Sequence, residues 1–229
     1  MDDTSSVGDK DRATARELAE RHLSAGDSLG WFETLYTMAS GDATIIPWAD
    51  LTPNPNLLSW LDSHAVDGSG ATALKIGCGL GDDAEELSRR GFDTTAFDIS
   101  STAIAWCRHR FPRSPVRYVE ADLLRPPEAW TGSFDLVVES YTLQVLPPGL
   151  HGDAMRAIAA FVAPGGTLLV IARGREPSEP EGTMPWPLTM VEIAAFGEAG
   201  LAALDFEDYL DDEEPPVRRF RATFRSPVR

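Results

Sequence analysis

The segment KIGCGLGDDAEEL, residues 75–87, constrains the fold of this chain more than any other. It closes a stretch of strand character, TALKIG (72–77), and opens a helical one, DDAEELSRRG (82–91). Glycines at 77, 79 and 81 let the backbone turn tightly and approach a ligand without a Cβ in the way. The helix beginning near Asp82 directs its N-terminal amides at the same crevice. A unit of strand, glycine turn and helix belongs in an open α/β sheet, which binds ligands at the carboxyl ends of its strands.

The rest of the chain continues the alternation. Strand-like runs at 93–98, 116–121, 134–139 and 167–172 are separated by helical runs at 101–111 and 151–162. Strands alternating with helices predict a parallel sheet covered on both faces. Pro164-Gly165-Gly166 stops the last of these helices. A further helix is expected over 188–200, then two β-stretches at 201–210 and 217–225. The short connection between those two stretches requires an antiparallel pair. The expected fold is therefore α/β: a Rossmann-like, doubly wound sheet of about seven strands, mostly parallel with an antiparallel C-terminal strand. Upstream, helical segments at 11–24, 28–38 and 54–64 flank a stretch interrupted by Pro47, Pro53 and Pro55. Residues 1–66 read as an N-terminal helical lid and 67–229 as the ligand-binding domain.

Composition narrows the partners. Of 229 residues, 43% are hydrophobic, which excludes wholesale disorder, and no apolar run approaches the ~20 residues of a membrane span. The polar N-terminus has no apolar core of a secretory signal. A net charge of −16 repels phosphate backbones, so no nucleic-acid partner and no membrane are expected. Seven acids crowd residues 205–214 and read as a solvated loop. Two cysteines without a CxxC motif or Cys/His cluster predict no metal and a reduced, cytoplasmic location.

The glycine spacing bears on the ligand. A dinucleotide site reads GxGxxG and seats a pyrophosphate on the helix N-terminus. Here the third glycine comes one residue early, and Asp82 and Asp83 would crowd a pyrophosphate with negative charge. GxGxG suits a ligand without phosphate. Three acids follow or close consecutive strands: Asp98, which can accept the hydroxyls of a ribose; Asp122, which with Leu123 can recognise and wall an adenine; and Glu139.

With these residues in view, the chain resembles a class I S-adenosylmethionine-dependent methyltransferase. IGCGLG, FDIS, EADLL, FDLVVES and APGGTLLVIA follow that family's motif order over residues 72–173. The resemblance implies S-adenosylmethionine as cofactor. Gly77, Cys78 and Gly79 would pass under its methionine part, and Asp98 would hold the ribose with Ile99 beside the adenine. Asp122 would reach the adenine amine and Leu123 would pack on the ring, while Glu139 and Ser140 close the fourth strand at the site. The family usually has an acid where this chain has Lys75, a reversal that favours the cofactor's carboxylate or an acid such as Asp50. A narrower resemblance is to the thiopurine methyltransferase-like branch, carried by VESYTLQVLPP (138–148), PWADLTPNPNLLSWL (47–61), Trp31 and Tyr36. That branch methylates soft nucleophiles, and its N-terminal aromatics close over the cofactor.

Methyl transfer from a sulfonium is an in-line displacement that needs alignment in a dry site. No triad or paired-carboxylate spacing marks a general base, so no catalytic residue is assigned; among the histidines only His151 lies near an expected sheet tip. Trp48, Tyr141 and Trp186 are the expected acceptor contacts, aromatic faces being favourable neighbours of a cation. The expected partner is a small-molecule methyl acceptor, the protein being a monomer or homodimer. Two other readings compete: a nicotinamide-dependent oxidoreductase, weakened by the early third glycine, and a non-catalytic cofactor-binding protein, encouraged by Lys75 and the missing base.

Overall fold

The computed structural model describes residues 7–228, with side chains described from residue 12 onward. The first six residues of the expected lid lie outside the described residues. Strands β1 (Thr72–Ile76), β2 (Asp93–Asp98), β3 (Arg117–Glu120), β4 (Phe134–Ser140), β5 (Val162–Arg173), β6 (Ala202–Leu210) and β7 (Arg218–Arg225) pair into one sheet ordered β3-β2-β1-β4-β5-β7-β6. Neighbours from β3 to β5 are parallel, and β7 runs antiparallel to both β5 and β6. The chain order reverses between β1 and β4, the crevice in which such a sheet binds ligands.

Helices cover both faces. They are α1 (Val7–Ser24), α2 (Gly30–Ala39), α3 (Pro55–Ser63), α4 (Asp82–Arg89), α5 (Ser101–Arg110), α6 (His151–Phe161) and α7 (Met190–Ala194). Side chains alternate along each strand. Leu74, Ile76, Val137, Leu168 and Val170 therefore pack with Ile158 and Phe161 of α6 on one face. On the other, Ala73, Leu136, Val138, Leu169 and Ile171 pack with Leu57, Trp60 and Leu61 of α3. Thus α3, assigned by sequence to the lid, lies on the sheet. Pro55 does not break it: Pro55 is its first residue, where a missing N–H costs nothing, and the Asn54 side chain caps it.

Three expectations need correction. The helix expected over 188–200 is only α7, followed by turns. Strand β5 begins at Val162, so the Pro-Gly-Gly stop lies inside a strand. The acidic run at 205–214 is not a solvated loop: its first half is β6, and its carboxylates hold arginines of β7. Glu207 pairs with Arg221, Asp208 with Arg218, and Asp211 and Glu213 with Arg219.

Candidate active site

The glycine turn leaves β1 at the centre of the sheet. Cys78 N–H donates to Phe97 O at 2.8 Å, and Gly79 N–H donates to Asp98 Oδ2 at 3.0 Å. Ser100 N–H takes the other oxygen, Asp98 Oδ1, at 3.0 Å. Two backbone amides thus fix the Asp98 carboxylate, which keeps further lone pairs for a ligand. Burial pushes its pKa up, against the pull of those amides and of Lys75. The turn tolerates no side chain at Gly77: with φ at 54°, a Cβ there would lie 2.4 Å from Thr142 Oγ1.

Lys75 is buried on the α3 face. Its ammonium donates to Ile76 O at 2.8 Å and lies 3.7 Å from Asp83 Oδ2. Asp83 in turn accepts Asn54 N–H at 2.8 Å and the Ser140 hydroxyl at 3.3 Å. The ion-pair partner of Lys75 is therefore Asp83 of α4; Asp50, the lid acid expected, is exposed.

Glu139 is fully buried. Its Oε1 accepts the amides of Thr142 and Leu143 at 2.8 and 3.0 Å, while Oε2 has no partner. Burial pushes its pKa up to about 7, with the amides of Leu143 and Thr142 and the Lys75 ammonium opposing. Tyr141, next but one, sits at φ 62°, a left-handed conformation rare for an aromatic residue. Asn56 Nδ2 donates to its hydroxyl at 3.0 Å, and the Arg219 guanidinium lies 5.0 Å from its ring centroid.

The N-terminal aromatics cover this turn. Trp48 Nε1 donates to the Tyr36 hydroxyl at 2.9 Å, and Trp31 meets Trp48 edge-on at 6.0 Å. A Cβ at Gly79 would lie 3.4 Å from the Tyr36 hydroxyl, so Tyr36 rests directly on the turn. Burial raises the Tyr36 pKa, and the neighbouring Asp98 adds to it. Glu33 anchors the cover, accepting the hydroxyls of Ser100 at 2.7 Å and Thr102 at 2.6 Å. Beside it a cavity of about 440 Å³ is lined by Ile99, Asp122, Leu124, Glu33 and the 26–30 loop. Of the adjacent leucines after β3, Leu124 lines this cavity together with Leu29 and Leu150, and Leu123 is buried in the main core.

Trp186 reaches the same side of the molecule, its N–H donating to Gln144 O at 2.7 Å. It packs with the cluster that holds Trp31 and Tyr36. His151 does not face the crevice: it is buried with Nε2 3.0 Å from Leu146 O. Cys78 and Cys107 are free and buried, and Cys107 Sγ donates to Gly79 O. Among the described residues no group of His, Cys, Asp and Glu can hold a metal ion, and no helix is long and apolar enough to cross a membrane. Glu33 and Gln144 were not singled out from sequence, and Asp83 was read there only as a charge opposed to a pyrophosphate.

The structure thus joins a glycine turn, an acid closing β2 and a buried acid closing β4 on the sheet of class I S-adenosylmethionine-dependent methyltransferases. Residues 73–166 match the family described as "Methyltransferase domain". It is 28% identical over 127 residues to the Ubiquinone biosynthesis O-methyltransferase of Acinetobacter baylyi, covering 54% of this chain and 52% of that protein. The chain spans about half the length of the curated relatives it matches. Among solved structures, N-methyltransferase NodS from Bradyrhizobium japonicum, in complex with S-adenosyl-L-homocysteine, superposes with TM-score 0.66 at 24% identity, covering 85% of this chain and 97% of that one. The Burkholderia thailandensis 1,6-didemethyltoxoflavin-N1-methyltransferase, with 1,6-didemethyltoxoflavin and S-adenosylhomocysteine bound, gives TM-score 0.67 at 18% identity, covering 86% and 87%. These likenesses establish the fold.

Proposed function

We propose that this protein transfers a methyl group from S-adenosylmethionine to a small-molecule nucleophile, a thiol or another soft acceptor. The observation that carries the reading is Glu139, a fully buried carboxylate with one oxygen unpartnered beside the glycine turn. A buried acceptor left without a donor is costly, and a cofactor ammonium would satisfy it.

The residues present fit the cofactor. Asp98 would take the ribose hydroxyls, and the cavity bounded by Ile99 and Asp122 would take the adenine. Gly77, Cys78 and Gly79 would lie under the methionine portion, with Lys75 and Ser140 beside it. When bound, S-adenosylmethionine supplies a methyl group activated by its sulfonium. Trp31, Tyr36 and Trp48 exclude water from the glycine turn, and Trp48, Tyr141 and Trp186 would orient the acceptor.

The soft-acceptor part of the proposal, and with it the thiopurine methyltransferase-like branch, rests on proton accounting. His22 is bonded to Asp27 and Thr34, His64 to Trp60 and Ser63, and His151 to Leu146. His109 lies in the last turn of α5. None is free at the crevice to act as base, and a thiol ionises readily without one. The oxidoreductase reading is not favoured. Asp82 and Asp83 stand where a pyrophosphate would sit, held there by Arg110 and Lys75.

Calorimetry with S-adenosylhomocysteine and a turnover panel of thiols, halides, phenols and amines test the proposal. Binding together with thiol methylation is expected. Tight nicotinamide binding, or cofactor binding without turnover of any acceptor, would refute it.

A further inference from the structure

Arg173 is the last residue of β5, at the carboxyl edge of the sheet. The register places it opposite Arg219 of β7, and Ile171 opposite Ser140 of β4. By strand alternation Arg173 shares a face with Ile171 and Leu169, the α3 side. It stands two residues beyond the Ser140–Ile171 pair, on the same edge as Tyr141, whose N–H donates to Ile171 O.

Its neighbours on this face are arginines with carboxylates. Arg219 holds Asp211 and Glu213, and Arg221 holds Glu207. Arg173 is half-buried, yet among the described residues its guanidinium has no hydrogen bond and no ion pair. Burial lowers its pKa and Arg219 lowers it further, while Glu213, a carboxylate already held by Arg219, opposes them without bonding to Arg173. Its main chain is fixed: Arg173 N–H donates to Gln144 Oε1 at 2.8 Å. The carbonyl of the same glutamine holds Trp186. One buried residue therefore holds the main chain both of Arg173 and of an expected acceptor contact.

A half-buried cation to which no carboxylate is bonded is unfavourable unless an anion completes it. The planar guanidinium fork matches a carboxylate in two parallel hydrogen bonds. In a chain of net charge −16, an anionic substrate also needs a local positive group to enter. We infer that Arg173 receives a carboxylate of the methyl acceptor, so that the substrate is a carboxylate-bearing small molecule. The inference rests on the methyltransferase reading above and adds the charge of its substrate.

The test uses protein saturated with S-adenosylhomocysteine, titrated with 2-mercaptobenzoate and with its neutral methyl ester. The acid is expected to bind at least tenfold more tightly than the ester. Arg173→Met should abolish that preference, and Arg173→Lys should restore part of it. Both variants should keep wild-type affinity for S-adenosylhomocysteine, which shows that they fold. Equal affinity of acid and ester in the wild type, or a preference that survives Arg173→Met, overturns the carboxylate assignment while leaving methyl transfer standing. Failure of the wild type to bind S-adenosylhomocysteine instead overturns both.

Discussion

The Lys75 ammonium lies 3.7 Å from Asp83 Oδ2, tying the central strand to the first turn of α4 beneath the glycine turn. The two side chains are 3% and 13% exposed, so neither charge is screened well by water. Removing one partner of such a pair costs more than removing both. Lys75→Met is expected to destabilise the fold by about 3 kcal/mol in urea unfolding. The double variant Lys75→Met/Asp83→Asn should recover a measurable part of that loss. Strictly additive losses would show that the pair is not coupled.

Glu139 makes stability depend on pH. Its pKa rises from 4.5 to about 7 on folding, so between these values the native state binds more protons than the unfolded chain. The contribution is fully present below pH 4.5 and is lost as pH rises through about 7. At ~1.4 kcal/mol per pKa unit the loss is about 3 kcal/mol. Glu139→Gln should flatten this window in chemical denaturation at a series of pH values.

The same residue couples protons to the ligand. If a cofactor ammonium takes Glu139 Oε2, binding favours the ionised carboxylate, so affinity for S-adenosylhomocysteine should rise as pH increases toward 7. Calorimetry near pH 6 in buffers of different ionisation enthalpy should register proton release. A pH-independent affinity would place the ammonium elsewhere.

Asp98→Ala should weaken S-adenosylhomocysteine binding by about 1.5–3 kcal/mol, the scale of lost hydrogen bonds to a charged group. It also frees the amides of Gly79 and Ser100. Asp98→Asn, which keeps one carbonyl acceptor, should lose less. Unchanged affinity in both variants would remove Asp98 from the site.

Glu33 joins the aromatic cover to the start of α5. Burial works against its ionised form, but the hydroxyls of Thr102 and Ser100 outweigh it and lower its pKa. Glu33→Ala is expected to speed hydrogen exchange across α2 and leave β4 unchanged. Added S-adenosylhomocysteine should slow exchange over residues 28–56. Identical exchange in that segment with and without ligand would mean that it does not respond to the site.

The sheet was readable because its signals are local. Alternating periods, the glycine turn and the Pro215-Pro216 turn each lie within a short window. Long-range pairings were not readable. The acids at 205–214 looked solvated because their arginine partners lie on the following strand and meet them only through antiparallel register. Leu123 and Leu124 are adjacent, and only the path after β3 decides which one walls the cavity. Residues 28–56, interrupted by prolines, carry little apolar periodicity of their own, yet Trp31, Tyr36 and Ile46 are buried together. Arg173 had no signal at all, since what distinguishes it is a missing partner.

The paired acids of β6 have a second effect, at the border of the sheet. β6 is an edge strand, and an open edge invites another chain to add a strand. Glu207 and Asp208 lie on that strand in ion pairs with Arg221 and Arg218, so an identical β6 approaching it would have to desolvate charged side chains. At the opposite border β3 is only four residues long. The sheet thus ends at one side by brevity and at the other by charges that an added strand would have to strip of water.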